Sequence, residues 1–137
     1  MRSNWLAGAF FAVALLIAGT AFAHHGGNLY DTTKALVLKG TITKFEWGTP
    51  HNQIYFDVKD AKSGDTHAWV ASTEPAGVML ERGWTRRSLK PGDPVTVYIF
   101  AAKNGATVGN LQKIVLADGK ELTAAGAPGG EQPTAER

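Results

Sequence analysis

Apolar and polar residues alternate with a period of two along most of this chain. In residues 34–45, Leu36, Leu38 and Ile42 fall on one face and Lys39, Thr41 and Thr43 on the other, which predicts a half-buried strand. Gly40 within it predicts a bulge or sharp bend. Trp47-Gly48-Thr49-Pro50-His51 breaks the strand, and Ile54, Phe56 and Val58 then alternate with Tyr55, Asp57 and Lys59 in a second. Residues 60–65, with Ser63-Gly64, read as a turn, and 67–71 as the returning strand around Trp69 and Val70. Centring that turn between Lys62 and Ser63 pairs residues whose numbers sum to 125. His67 then faces Val58, and His51 faces Glu74.

The period changes after Ala71. Ser72-Thr73-Glu74-Pro75 offers hydroxyl caps and a first-turn proline, Ala76, Met79 and Leu80 follow helical spacing, and Gly83 ends a helix of about two turns. Pro91-Gly92-Asp93-Pro94 is a strong turn signal. Val95, Val97 and Ile99 alternate with Thr96, Tyr98 and Phe100 in a fourth strand, Asn104-Gly105 turns the chain, and 111–117 form a fifth. Asp118-Gly119 folds Lys120-Glu121-Leu122 back as a small hairpin. Three meandering strands, a short helix and a closing pair predict a mainly β fold. It is a small five-stranded OB-like barrel with one short helix between strands 3 and 4, the alternative being an open α+β sandwich. The expected limits are an irregular leader at 24–33, the β domain at 34–122 and a disordered tail at 123–137, whose Ala, Gly, Pro and Glu cannot bury a core.

The first 23 residues read as an address. Arg2 precedes an almost wholly apolar run, and Ala21-Phe22-Ala23 supplies the small-x-small pattern of a signal-peptidase site. An uncleaved anchor is the competing reading, since 5–23 is just long enough to span a bilayer; the polar turn in the sequence at the Ala-x-Ala site favours cleavage. Removal takes away only Arg2 among the charged residues, leaving 13 basic and 12 acidic side chains on an exported, periplasmic or secreted chain of 114 residues.

Cleavage changes the chemistry on offer. The new first residue is His24, followed by His25, so one residue carries both a free α-amine and an imidazole. The chain has no cysteine, which excludes disulfides, Fe–S clusters, thiolate zinc sites and cysteine nucleophiles. Met79 is the sole methionine of the cleaved chain and fits the helix core. A bound metal would therefore need nitrogen ligands. The α-amine, with a reference pKa of about 7.7–8.0, yields its proton to a metal far more readily than a lysine near 10.4. The His24 amine and ring with His51 as third ligand would give the three-nitrogen T that suits copper(II), zinc or nickel being alternatives. His25 is a further candidate ligand, through its own ring. Glu74, facing His51, is a candidate to orient it through its carboxylate, or a helix N-terminal acid serving the dipole. His67, seven rows from His51 or about 23 Å at the usual strand rise, is out of reach.

Three functional classes follow. The first is an exported copper carrier or sensor. The second is a non-enzymatic envelope interaction module that binds a protein or small ligand while the histidines are incidental. The third, ranked last, is oxidative chemistry at a copper brace, which needs an exposed flat substrate surface and an open coordination position, whereas only Tyr55 and Tyr98 stand out as outward aromatics. No G-x-S-x-G, P-loop or H-E-x-x-H motif locates a catalytic site. A formal net charge of +2 lacks the footprint of a nucleic-acid binder, and Arg82, Arg86, Arg87 and Lys90 read as a solvated face. The membrane is expected as a partner only through an uncleaved signal segment.

The chain also resembles a family of small exported bacterial proteins known as a domain of unknown function, DUF6152. The resemblance rests on Ala23-His24-His25, Tyr30-Asp31, Leu38-Lys39-Gly40, Trp47 through Pro50-His51, Gly83-Trp84-Thr85-Arg86 and Leu89-Lys90-Pro91-Gly92-Asp93. It covers roughly 23–122. The family reads Asn-Pro-His where this chain has Thr49-Pro50-His51. The resemblance implies the domain limits and supplies no catalytic residues.

Overall fold

A computed structural model describes residues 29–125. The order is β1 (Leu36–Glu46), β2 (Gln53–Lys59), β3 (Thr66–Ser72), α1 (Ala76–Glu81), β4 (Pro94–Ala101), β5 (Val108–Leu116) and β6 (Glu121–Thr123). The sheet runs β3-β2-β1-β4-β5-β6, and a parallel pairing of β3 with β5 closes its first five strands into a barrel. Going round from Glu46 through Gln53, Ser72, Asn110 and Phe100 leads back to β1 beside Ala35, eleven residues before the start. This large stagger sets a steep strand tilt, as closure of so few strands requires. The expected OB-like barrel with a helix between strands 3 and 4 is the architecture found. No helix among the described residues is long and apolar enough to cross a membrane.

The alternation dictates the interior. Ile42, Ile54, Phe56, Val97, Ile99 and Ile114 are all buried to 1% exposure or less, and Met79 of α1 plugs the same core. The β2–β3 register is the one expected, with Val58 opposite His67 and Gln53 opposite Ser72.

Four local expectations are corrected. The bulge lies between Ile42 and Lys44, not at Gly40. Gly40 serves a close approach instead, since a Cβ there would stand 2.6 Å from the Asp57 carbonyl oxygen. Leu80 is 55% exposed, because α1 is only six residues long and Met79 alone reaches the core. No side chain caps α1, whose N-cap is Pro75; the Ser72 hydroxyl donates to Gln53 and the Thr73 hydroxyl to the Glu74 carbonyl. The ordered domain also runs beyond 122. Thr123 lies in β6 and Ala124 is buried, because the Trp84 indole donates to the Thr123 carbonyl at 2.8 Å and Arg82 to that of Ala124. Gly83 does end the helix, at φ +83°, with Trp84 N–H returning to the Met79 carbonyl.

Candidate functional site around His51

Among the described residues the buried polar side chains are Asn52 and Thr73, and they are bonded to each other. Asn52 is the last residue of the loop joining β1 to β2, and Thr73 directly follows β3. Asn52 Oδ1 accepts from Gly48 N–H at 2.9 Å, while Nδ2 donates to Thr73 Oγ1 at 3.0 Å and to the Glu74 carbonyl at 2.9 Å. The amide can sit only one way round, because a flip would set its NH2 against an N–H and its oxygen against a carbonyl. Thr73 N–H closes the frame on the Asn52 carbonyl, and Ala76 N–H on that of Gly48. The loop carries a cis peptide between Thr49 and Pro50. Behind it Trp47 stands edge-on to Phe45 at 5.7 Å, and Phe45 leans on Trp84.

His51 is an exposed residue on this rigid frame. Its Nδ1 lies 3.0 Å from the Thr73 carbonyl oxygen. A carbonyl only accepts, so Nδ1 carries the hydrogen and donates it, which leaves the lone pair on Nε2. Metal-ligating histidines are held in the same way, with the other ring nitrogen donating to a carbonyl or carboxylate. The acceptor is the main chain of Thr73, one residue before the expected Glu74 carboxylate. Glu74 is exposed, and it is its carbonyl oxygen that enters the frame, accepting from Asn52 and Thr73.

The remaining histidines separate. His67 is exposed on β3 opposite Val58, and its charge helps lower the Asp60 carboxyl, which backbone N–H groups of Ser63 and Lys62 hold down first. Val58 lies seven residues beyond His51, about 23 Å along the strand. His24, His25, the expected signal segment at 1–23 and most of the expected tail lie outside the described residues. Among the described residues no three His, Asp or Glu side chains are grouped to hold a metal ion.

The leader is tied down where it is described. Tyr30 pairs with Ala102, Asp31 N–H donates to the Ala101 carbonyl and Lys103 N–H to that of Leu29. The leader thus meets the barrel at the β4–β5 loop, while His51 sits on the β1–β2 loop. These are the two loops that OB barrels use to flank a ligand face on β2 and β3. A continuous row, Tyr30–Ala102–Val108–Val70, links the leader to β3 three residues before Thr73.

Beside the loop, Tyr55 donates to Glu46 at 3.0 Å, Glu46 pairs with Lys44, and the Lys44 ammonium lies 5.3 Å over the Tyr55 ring. Lys44 first, then Tyr55, holds the Glu46 carboxyl below its ordinary range, and Glu46 raises the phenol of Tyr55 in return. On the far wall Lys113 covers Tyr98 at 4.6 Å and pairs with Glu121. Both outward tyrosines are therefore covered by lysines rather than presented as a flat platform. Arg86, Arg87 and Lys90 are exposed.

Pattern reading missed Asn52. It directly precedes β2 and would ordinarily face solvent; the signal was its place between a Pro-His loop and an alternating apolar run.

The chain matches no curated protein and no solved structure. A family model for a family of unknown function, DUF6152, matches residues 13–112. The chain belongs to the DUF6152 family.

Proposed function

We propose that the protein is an exported copper(II) carrier or sensor that holds the ion through nitrogen ligands. Cleavage after Ala23 would free the α-amine and imidazole of His24 as two ligands, and His51 Nε2 would be the third. The observation that carries this reading is the hydrogen bond from His51 Nδ1 to the Thr73 carbonyl, which leaves the second ring nitrogen with its lone pair on an exposed loop. The attachment of the leader to the β4–β5 loop also supports it. Leu29 is already bonded to Lys103, and five residue steps separate it from His24, a reach of about 17 Å when extended. The row from Tyr30 to Val70 is three strand spacings, about 14 Å, and Thr73 is about 10 Å further along β3. That separation is of the same order as the reach of the segment. His25 would serve as an alternative imidazole, and zinc or nickel would compete for the same nitrogens.

Titration calorimetry on the processed protein, with and without one extra residue before His24, tests the reading. The processed form should bind copper(II) at least tenfold more tightly; equal affinity would overturn it. Intact mass of exported protein with and without copper gives the cleavage point and the stoichiometry together.

A second reading is an envelope interaction module. It is favoured by Leu29, Leu36 and Val37, at 72%, 39% and 50% exposure where the leader joins β1. Capture of an envelope partner that survives both chelator and His24→Ala would support it against the copper reading.

A further inference from the structure

We infer that Asn52 is the positioning residue of the His51 site, and that it keeps the ring in the tautomer with hydrogen on Nδ1. Free histidine prefers its hydrogen on Nε2, so the protein has to reverse an intrinsic preference. What reverses it is one acceptor, the Thr73 carbonyl oxygen, whose direction follows from the peptide joining Thr73 to Glu74. Asn52 holds that peptide on both sides: Nδ2 donates to Thr73 Oγ1 before it and to the Glu74 carbonyl after it. The Asn52 main chain accepts from Thr73 N–H, and Oδ1 fixes Gly48 at the other end of the loop.

Asparagine suits this position for a reason of chemistry. The frame needs one acceptor and two donors within a single short, planar, uncharged side chain, and Asn52 is fully buried. Aspartate has the shape without the donors, and would bring a carboxylate up to the Glu74 carbonyl. Leucine has the bulk and neither function. With the frame loosened, the Thr73 carbonyl loses its fixed direction, His51 relaxes toward the Nε2–H form, and that nitrogen is no longer a ligand without first losing its hydrogen. The effect on metal affinity rests on the copper reading above, whereas the tautomer does not.

The test is long-range 1H–15N correlation of the imidazole rings in the metal-free cleaved protein, at a pH where they are neutral. Wild type should show His51 with its hydrogen on Nδ1, while exposed His67 shows the ordinary preference. In Asn52→Asp the His51 pattern should shift to a mixture dominated by Nε2–H. Thr73→Val keeps the volume and the backbone carbonyl, loses the hydroxyl, and should shift it partway. Backbone amide spectra identify which variants are folded, and Thr73→Val carries the test if Asn52→Asp is not. Copper(II) affinity should fall 10- to 100-fold with the tautomer, the usual range for loss of a group supporting a ligand. A wild-type ring with its hydrogen on Nε2, or folded variants that both keep the pure Nδ1–H form, would overturn the inference. A tautomer that shifts as stated in a protein that binds no copper upholds Asn52 and removes the copper reading alone.

Discussion

The imidazole of His51 is bonded to the backbone carbonyl of Thr73, 22 positions further along the chain and 3.0 Å away. One end of the ring is thereby satisfied within the fold while the residue as a whole is exposed. His51→Ala should leave the barrel intact, with a stability change of about 1 kcal/mol, because a single part-buried hydrogen bond is lost. Copper(II) affinity should drop at least tenfold in the same variant. Calorimetry and thermal unfolding on one preparation separate the two effects.

Asn52→Ala should behave in the opposite way. It strips the partner from Gly48 N–H and one bond each from Thr73 Oγ1 and the Glu74 carbonyl, which keep each other, and the loss at this buried position costs about 3 kcal/mol in total. Urea unfolding measures it; a loss under 1 kcal/mol would mean that water replaces the amide without penalty.

Gly40 and Gly48 form a matched pair for alanine substitution. A Cβ at Gly40 would press on the Asp57 carbonyl at 2.6 Å, whereas one at Gly48 meets nothing within 4 Å. Gly40→Ala should destabilise by about 1–3 kcal/mol through overpacking, and Gly48→Ala should fall within about 0.5 kcal/mol of wild type. Comparable midpoints for the two would contradict the close crossing of β1 and β2.

Trp84→Phe keeps most of the buried ring and removes the indole donor to Thr123. The expected cost is about 1–2 kcal/mol, the price of a lost bond and an orphaned carbonyl. Amide exchange should accelerate across Glu121–Thr123 more than across β1 or β2.

Acid should loosen the β2–β3 hairpin. The Asp60 carboxylate accepts from Ser63 N–H at 2.8 Å and Lys62 N–H at 2.7 Å, and these bonds lower its pKa below the ordinary 3.8. A carboxyl lowered on folding stabilises the protein above its unfolded pKa and loses that contribution as pH falls through the folded value. Stability should therefore decline below about pH 4, and Asp60→Ala should flatten that part of the profile while leaving a constant deficit at neutral pH. An unchanged acid limb in the variant would rule Asp60 out as a contributor beside Glu46.

Much of the barrel could be read from alternation alone, and the reasons are visible residue by residue. Ile54, Phe56 and Val58 face inward because one face of β2 is buried, so the period of two fixes both the strand and its partner register. Gly64 at φ +77° and Gly92 at φ +92° sit in the turns that Ser63-Gly64 and Pro91-Gly92 announced. What pattern could not supply was tertiary. Gly40 is small because β2 crosses it, and the bulge fell where Thr43 has no opposite number. Leu80 obeyed helical spacing, yet the helix is too short to bury a second residue. At the candidate site His51 was legible as a loop histidine after proline. Its orienting acceptor was not, because a main-chain carbonyl carries no residue identity, and Asn52 was not, because both partners of its NH2 group lie some twenty positions away.

The pairing of Tyr30 with Ala102 spans 72 positions, which sets the order in which things happen during biogenesis. If the chain is exported and cleaved as proposed above, the freed amino terminus would emerge first, but its anchor on the β4–β5 loop exists only once the last third of the domain has followed and the cylinder has shut. Contacts so distant in sequence form late. Anything that depends on both the leader and His51 would thus be withheld from unfinished chains, so loading with an ion would double as a readout of completed folding.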